Sequence, residues 1–285
     1  MSNIFILGSE GFIGKEIVAI LLKKKKKIYT LDIKQSNRQG HICGNINTFN
    51  LLDFINQSNI SYIIDLIGCS NHNFSNNNLI KYSYNKNYSE KLNLISALKE
   101  IKKKINFFTI GSLYKFAQQR KIKKKYFSTI NRSNDPQLVF KYMFEKKLFN
   151  ISNDNLKTMV INIGSVYGNS SKKKITINFI DQIALNIKNK KKNKIFLTKK
   201  IRFKNAIYIK DIAKKIILLI KKNKKKYTEI NITDYLINFN KFAFYLKSQK
   251  KASIFSKKIK FNYYYIDNKR AVTDFENTFN RIYCL

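Results

Sequence analysis

The sequence predicts an α/β fold: a doubly wound parallel sheet with a small, interleaved C-terminal substrate domain. Three observations carry that expectation. Apolar runs of strand length alternate with amphipathic stretches of helix length, an order that buries strands between two helical layers through right-handed crossovers. The first run, Asn3 to Leu7, breaks at Gly8, and Gly11 and Gly14 follow just before the helical pattern Glu16 to Leu22. A second run, Ile28 to Leu31, ends on Asp32.

Strand, glycine turn, helix, strand and terminal aspartate in that order define a Rossmann-type dinucleotide site. The glycines give the turn its backbone freedom, let main-chain N–H groups approach a pyrophosphate, and allow helix and strand to pack closely. The anion then sits at a helix N-terminus, where donors and dipole favour it. Gly8, Gly11, Phe12, Ile13 and Gly14 are therefore candidate cofactor contacts, and Asp32 a candidate acceptor for an adenosine ribose. The charge of Asp32 opposes a 2′-phosphate and favours NAD over NADP, a preference that Lys34 and Arg38 soften.

The remaining elements follow in the same rhythm. After Gly44-Asn45-Ile46-Asn47 comes a helix from Thr48 to Asn56, then a buried strand from Tyr62 to Gly68. Leu66, Ile67 and Gly68 end that strand on the carboxyl side of the sheet, where a dinucleotide lies. Asn71 to Asn78 reads as a loop, Lys81 to Lys99 as one long helix, and Ile105 to Ile110 as a strand running into Gly111-Ser112. A helix spans Leu138 to Ile151, a strand Thr158 to Gly164, a helix Ile175 to Ile187 and a strand Lys194 to Thr198. Asp211 opens a further helix, and a strand near Glu229 to Ile232 and a helix from Phe239 to Lys247 complete the pattern. Residues 1–165 are expected to form the dinucleotide domain and 166–285 mainly the substrate part, with about 200–220 returning to the core.

Composition bounds the function. The 285 residues are 44% hydrophobic and 14% aromatic, enough for a packed core, and carry a formal net charge of +39. Such charge admits a nucleic-acid partner. The lysine runs, however, fall at helix ends and loops, and proline is reduced to Pro136. That pattern reads as coding bias rather than a binding face. Three cysteines, Cys43, Cys69 and Cys284, have neither disulfide nor metal spacing, so reduced thiols, no metal and a cytoplasmic location are expected. No apolar run reaches the length of a membrane span.

Ser112, Tyr142 and Lys146 have a chemical logic together. Tyr142 and Lys146 are four residues apart, hence on one helical face. An ammonium beside a phenol lowers its pKa and lets it exchange a proton with a substrate hydroxyl or carbonyl while hydride moves to or from a nicotinamide. In a chain with 17 tyrosines the spacing alone says little.

The order of the motifs adds weight. Gly8-Ser9-Glu10-Gly11-Phe12-Ile13-Gly14, Asp32, Gly44-Asn45-Ile46, Ile64 to Gly68, Asn87 to Ala97, Ser112, Pro136 with Tyr142 to Lys146, Val166-Tyr167-Gly168, Arg202-Phe203 and Tyr208 to Asp211 occur in sequence. Over roughly residues 3 to 235 the chain thereby resembles the extended short-chain dehydrogenase/reductase family, in particular its nucleotide-sugar epimerases, dehydratases and reductases. The resemblance implies Tyr142 as acid/base, Lys146 as its tuner and holder of the nicotinamide ribose, and Ser112 on the reacting oxygen. Asn87 would support the site, Arg202 would face the nucleotide diphosphate, and Asn45 and Ile46 would lie by the adenine. The chain departs from the family at Asn45, where an aspartate is usual, at Ile67-Gly68 in place of Ala-Ala, and at Asn162 and Asn169.

Dehydration is disfavoured, because Leu113-Tyr114-Lys115 after Ser112 lacks the acidic pair that elimination needs. The resemblance therefore implies an NAD-dependent nucleotide-sugar epimerase supplying glycoconjugate or surface-polysaccharide precursors, acting as a homodimer through the 81–99 and 138–151 helices. An NAD(P)H-dependent ketosugar reductase remains the alternative within the family. A different class is a non-catalytic dinucleotide-binding module whose basic surface meets RNA or an acidic partner.

Overall fold

A computed structural model describes residues 3–69, 77–113, 136–168, 179–191, 193–197, 203–220, 225–232, 235–249 and 251–256. The described residues fall into two compact units. One is drawn from Met1–Ser112, Phe127–Asn162 and Lys210–Asn231, the other from Leu113–Tyr126, Ile163–Ile209 and Ile232–Leu285.

The first unit opens with β1 (Asn3–Leu7), α1 (Phe12–Lys23), β2 (Ile28–Asp32), β3 (His41–Cys43), α2 (Leu51–Gln57) and β4 (Ile60–Asp65). It continues through α3 (Asn77–Asn87), a 3-10 turn at Ser89–Lys91, α4 (Leu92–Glu100), β5 (Ile105–Ser112), α5 (Pro136–Ile151) and β6 (Leu156–Ile163). The second unit holds β7 (Ser165–Tyr167), α6 (Phe179–Lys188), β8 (Asn193–Leu197) and β9 (Phe203–Tyr208). After α7 (Ile209–Ile220) and β10 (Tyr227–Ile232), which serve the first unit, come β11 (Tyr235–Asn238), α8 (Phe239–Ser248) and β12 (Ala252–Ser256).

Seven strands form one parallel sheet in the order β10-β6-β5-β4-β1-β2-β3. β1 pairs on one side with β2 and on the other with β4, so the chain direction through the sheet switches there. Ligands of open α/β sheets bind at the carboxyl ends of the strands flanking such a switch. The strands are apolar because both faces are covered: all five β1 residues are buried. α1 buries Gly14, Ile17, Val18 and Leu21, an i, i+3, i+4, i+7 stripe, and leaves its lysines outside. One core cluster includes Phe5, Leu7, Leu31, Leu94, Phe107 and Leu148. In it the Phe5 and Phe54 rings lie 4.8 Å apart.

The second unit has its own sheets, β11-β9-β7 and β12-β8, and its own core around Tyr167, Ile183, Phe242 and Leu246. Strands β3, β7, β9, β11 and β12 are additions to the elements expected from sequence. The single helix expected over 81–99 is instead two helices, interrupted where Tyr88 leaves helical geometry at φ −140°.

Candidate active site

The glycine loop lies at the sheet's switch point. Gly8 has φ +77° and its backbone faces the chain leaving β4, so a Cβ there would stand 3.0 Å from Ile67 N and from Leu66 C. Only glycine combines that conformation with that approach. Leu66 N donates to Leu7 O at 2.9 Å, which fixes the end of β4 beside the loop. α1 then starts at Phe12 with Gly11 as its N-cap and no side-chain cap, leaving the dipole's positive end facing the loop. Ser9 is fully buried there, its Oγ without a partner among the described residues. A glycine cradle, an uncapped helix start and a spare hydroxyl are features that suit a pyrophosphate.

Asp32 sits at the end of β2 and ties this loop down. Its Oδ2 accepts from Glu10 N at 2.8 Å and its Oδ1 from Lys34 N at 3.0 Å. Arg38, expected to soften a preference against a 2′-phosphate, is ion-paired with Glu10. Asn45 accepts from Asn47 N at 3.1 Å within its own turn. Ile46 turns its side chain into the core, 2% exposed, and its carbonyl accepts from Asn93 Nδ2 at 3.0 Å.

Beyond β4 the chain is held by Asn87 at the end of α3. Its Oδ1 accepts from Cys69 N at 3.1 Å, and its Nδ2 donates to Cys69 O at 3.2 Å and Ser83 Oγ at 3.0 Å. This side chain fixes the backbone next to Gly68 and works by positioning. Ser112 closes β5, nearly buried. Asp65 is paired in register with Thr109, so Gly68 and Ser112 each stand three residues beyond that pair.

Helix α5 presents a different face from the one the Tyr-x-x-x-Lys spacing suggests. Lys146 is exposed. Tyr142 is 7% exposed, and its pKa is raised, first by burial and then by the carboxylates of Glu145 and Glu229. The same carboxylates and Tyr142 act on Tyr227, whose pKa is also raised, again mainly by burial. Tyr142 thus belongs to a carboxylate-rich cluster that includes Tyr227 on β10, and its acidity moves away from the direction a neighbouring lysine would give. The lysine brought to the end of β4 is Lys141, whose Cε lies 4.0 Å from where a Gly68 Cβ would be. Burial first, then repulsion from Lys91, brings the Lys141 pKa down to about 8 against the pull of Glu145, Asp65 and Cys69.

Gln137 lies one turn before Lys141 and Glu145 one turn after, at 3% and 4% exposure. These three and Lys91 escaped the sequence reading. The available signal was a polar i, i+4, i+8 stripe, Gln137, Lys141 and Glu145, on one face of the helix. Arg202 lies outside the described residues. Among the described residues no three His, Cys, Asp or Glu side chains cluster to hold a metal, and no helix is long and apolar enough to cross a membrane.

Glycine loop, switch point and Asp32 together define a dinucleotide-binding α/β protein. A family model, Epimerase, matches residues 4–233, and the chain belongs to this NAD dependent epimerase/dehydratase family. Among solved structures it is similar to a UDP-N-acetylglucosamine 4-epimerase from Methanobrevibacter ruminantium M1 in complex with UDP-N-acetylmuramic acid. That match has 17% identity and TM-score 0.78, over 99% of this chain and 97% of that one. It is similar also to the Helicobacter pylori ADP-L-glycero-D-manno-heptose-6-epimerase, with 18% identity and TM-score 0.71, over 99% and 97%. A third is MoeE5 in complex with UDP-glucuronic acid and NAD, with 15% identity and TM-score 0.76, over 99% and 93%. No curated protein sequence matches the chain.

Proposed function

We propose that the chain is an NAD-dependent nucleotide-sugar epimerase. The observation that carries this reading is the joint between Asp32 and the glycine loop, through Glu10 N, which sets a carboxylate and a helix N-terminus at the sheet's switch point. NAD, when bound, supplies hydride chemistry at a sugar carbon. Gly8, Gly11, Gly14 and the first N–H groups of α1 at Phe12 and Ile13 hold its pyrophosphate, and Asp32 accepts from its adenosine ribose. Leu66, Ile67 and Gly68 would line its path beyond β4, and Ser112 would orient the reacting oxygen of the sugar. Arg202 meets the nucleotide diphosphate through its planar fork of donors.

Support for a nucleotide-sugar substrate comes from family membership and from the nucleotide-sugar enzymes whose fold this chain shares. Two copies join through α3 and α5, where Tyr82, Tyr84 and Phe149 are exposed. The protein acts in the cytoplasm on precursors of glycoconjugates.

Acid release and mass identification of any dinucleotide carried by the purified chain tests the reading first. Bound NAD⁺, followed by mass-neutral conversion of one member of a UDP-, GDP-, dTDP-, CDP- and ADP-sugar panel, supports it. An empty protein that takes up NADPH and reduces a ketosugar would replace it with the reductase, and binding of neither dinucleotide would overturn it.

A further inference from the structure

We propose that Lys141 is the proton-exchanging group of this site, with Gln137 one helical turn earlier in the place that the family's pattern gives to tyrosine. The proposal rests on the epimerase reading for its hydride chemistry and on the geometry of α5 for its residues. The family pattern is a tyrosine four residues before a lysine. The lysine that α5 brings to Gly68, at the carboxyl end of β4, is Lys141, and four residues before it stands Gln137. A carboxamide neither takes up nor gives up a proton near neutral pH. The nearby phenol, Tyr142, is kept protonated first by burial and then by the carboxylates of Glu145 and Glu229.

Lys141 is equipped for the role by its surroundings. From β4, Asp65 would be its natural counter-ion, but Asp65 Oδ2 is taken at 2.6 Å by Lys91 from the 3-10 turn after α3 and at 2.8 Å by Thr109 from β5. Lys91 thus satisfies the carboxylate and leaves its own positive charge facing Lys141. From α5, Glu145 pulls the other way, and from the chain after β4 so does Cys69. A half-buried lysine beside a second cation is a recognised way of keeping an amine partly neutral near physiological pH. The pKa of about 8 agrees with this geometry.

The step balances. As a sugar carbinol is oxidised, its C–H leaves as hydride to the dinucleotide and its O–H proton goes to the neutral Lys141 amine, giving ketone, reduced dinucleotide and ammonium. Return of hydride to the other face of the ketone takes the proton back from Lys141, with no net change in redox or protonation.

The test uses the full chain and two independent readouts. Competitive acetylation of lysines across pH, read by peptide mass, gives the titration of Lys141 without reference to activity. A midpoint at least one unit below the ordinary lysine value is expected, and a midpoint at that value overturns the proposal. Reduction of bound NAD⁺ by the sugar panel in a single turnover gives the second readout. Lys141→Met and Lys141→Arg should each retain NAD affinity within a few-fold and lose at least 100-fold in reduction rate, arginine failing because it does not deprotonate. Tyr142→Phe and Lys146→Ala should stay within about twofold of the parent, within the ordinary scatter of surface or structural changes. Loss of reduction in Tyr142→Phe with retention in Lys141→Arg would overturn the assignment. Failure of the parent chain to bind NAD would instead sink the epimerase reading, whatever the acetylation profile of Lys141.

Discussion

Lys91 and Asp65 form an ion pair at 2.6 Å with 5% and 0% of their side chains exposed. Asp65 is further held by Thr109 Oγ1 at 2.8 Å on the same oxygen and by Ile67 N at 3.1 Å on the other. The Lys91 ammonium lies 4.7 Å from the Phe144 ring centroid. Both carboxylate oxygens thus have partners, and the pair joins the end of β4 to the 3-10 turn between α3 and α4. Removal of one member leaves an uncompensated buried charge, which typically costs 3–5 kcal/mol, whereas removal of both is far milder. Lys91→Met should therefore lower denaturant stability by about 3–5 kcal/mol. The double variant Asp65→Asn with Lys91→Met should recover most of that loss. A loss in the double variant equal to the sum of the two single losses would show that the pair itself contributes nothing.

The second prediction concerns the close approach of α1 to the loop. A Cβ at Gly14 would lie 2.7 Å from Ser9 O and 2.8 Å from Ser9 C, both backbone atoms that cannot move independently of the cradle. Gly14→Ala should push α1 away from the loop, cutting NAD affinity by about tenfold or more, which is roughly 1.4 kcal/mol. Titration calorimetry of both proteins with NAD⁺ checks this. Unchanged affinity would place the pyrophosphate elsewhere.

The loop was legible in the sequence because its signal is local. Gly8, Gly11, Gly14 and Asp32 act through the backbone conformation and chain order of a short segment, which spacing records directly. The face of α5 was not legible for the opposite reason. Two registers, Gln137-Lys141-Glu145 and Tyr142-Lys146, share the four-residue period, and tertiary packing alone decides which one meets β4. Lysine enrichment makes that ambiguity worse, since 141, 146 and 147 are all lysine. The break in the expected 81–99 helix has a related origin. Its polar residues look like an exposed face, yet Lys91 is buried because Asp65, 26 positions earlier, needs its charge.

A third prediction follows from the pairing of Arg38 with Glu10, at 17% and 11% exposure. While Glu10 holds the guanidinium, Asp32 dominates the field that a 2′-phosphate would meet, so NADH should be preferred over NADPH. Glu10→Gln releases Arg38 and should narrow that preference by about tenfold, near 1.4 kcal/mol, through tighter NADPH binding with little change for NADH. Fluorescence titration with both reduced dinucleotides measures the ratio. An unchanged ratio would mean that Arg38 does not reach the ribose in either state.

The last prediction is a pH dependence of stability. Lys141 titrates near 8 in the folded chain, against 10.5 for a free lysine. Below about pH 8 both folded and unfolded states carry the proton, and the full penalty of holding a charge in this site is present. Between about 8 and 10.5 the unfolded chain binds more protons than the folded one, so stability rises with pH through that window. At 1.36 kcal/mol per unit the gain attributable to Lys141 is on the order of 3 kcal/mol. Lys141→Met has no such group, so the stability of the parent relative to this variant should climb over that range and level off above it. Raised phenols such as Tyr227 work in the opposite sense at higher pH, but they are common to both proteins and cancel in the difference. Urea unfolding of the two proteins at half-unit steps from pH 7 to 10.5 measures the curve. A flat difference would mean that the Lys141 ammonium is as well solvated in the folded chain as in the unfolded one, which the packing around Gly68, Lys91 and Glu145 argues against.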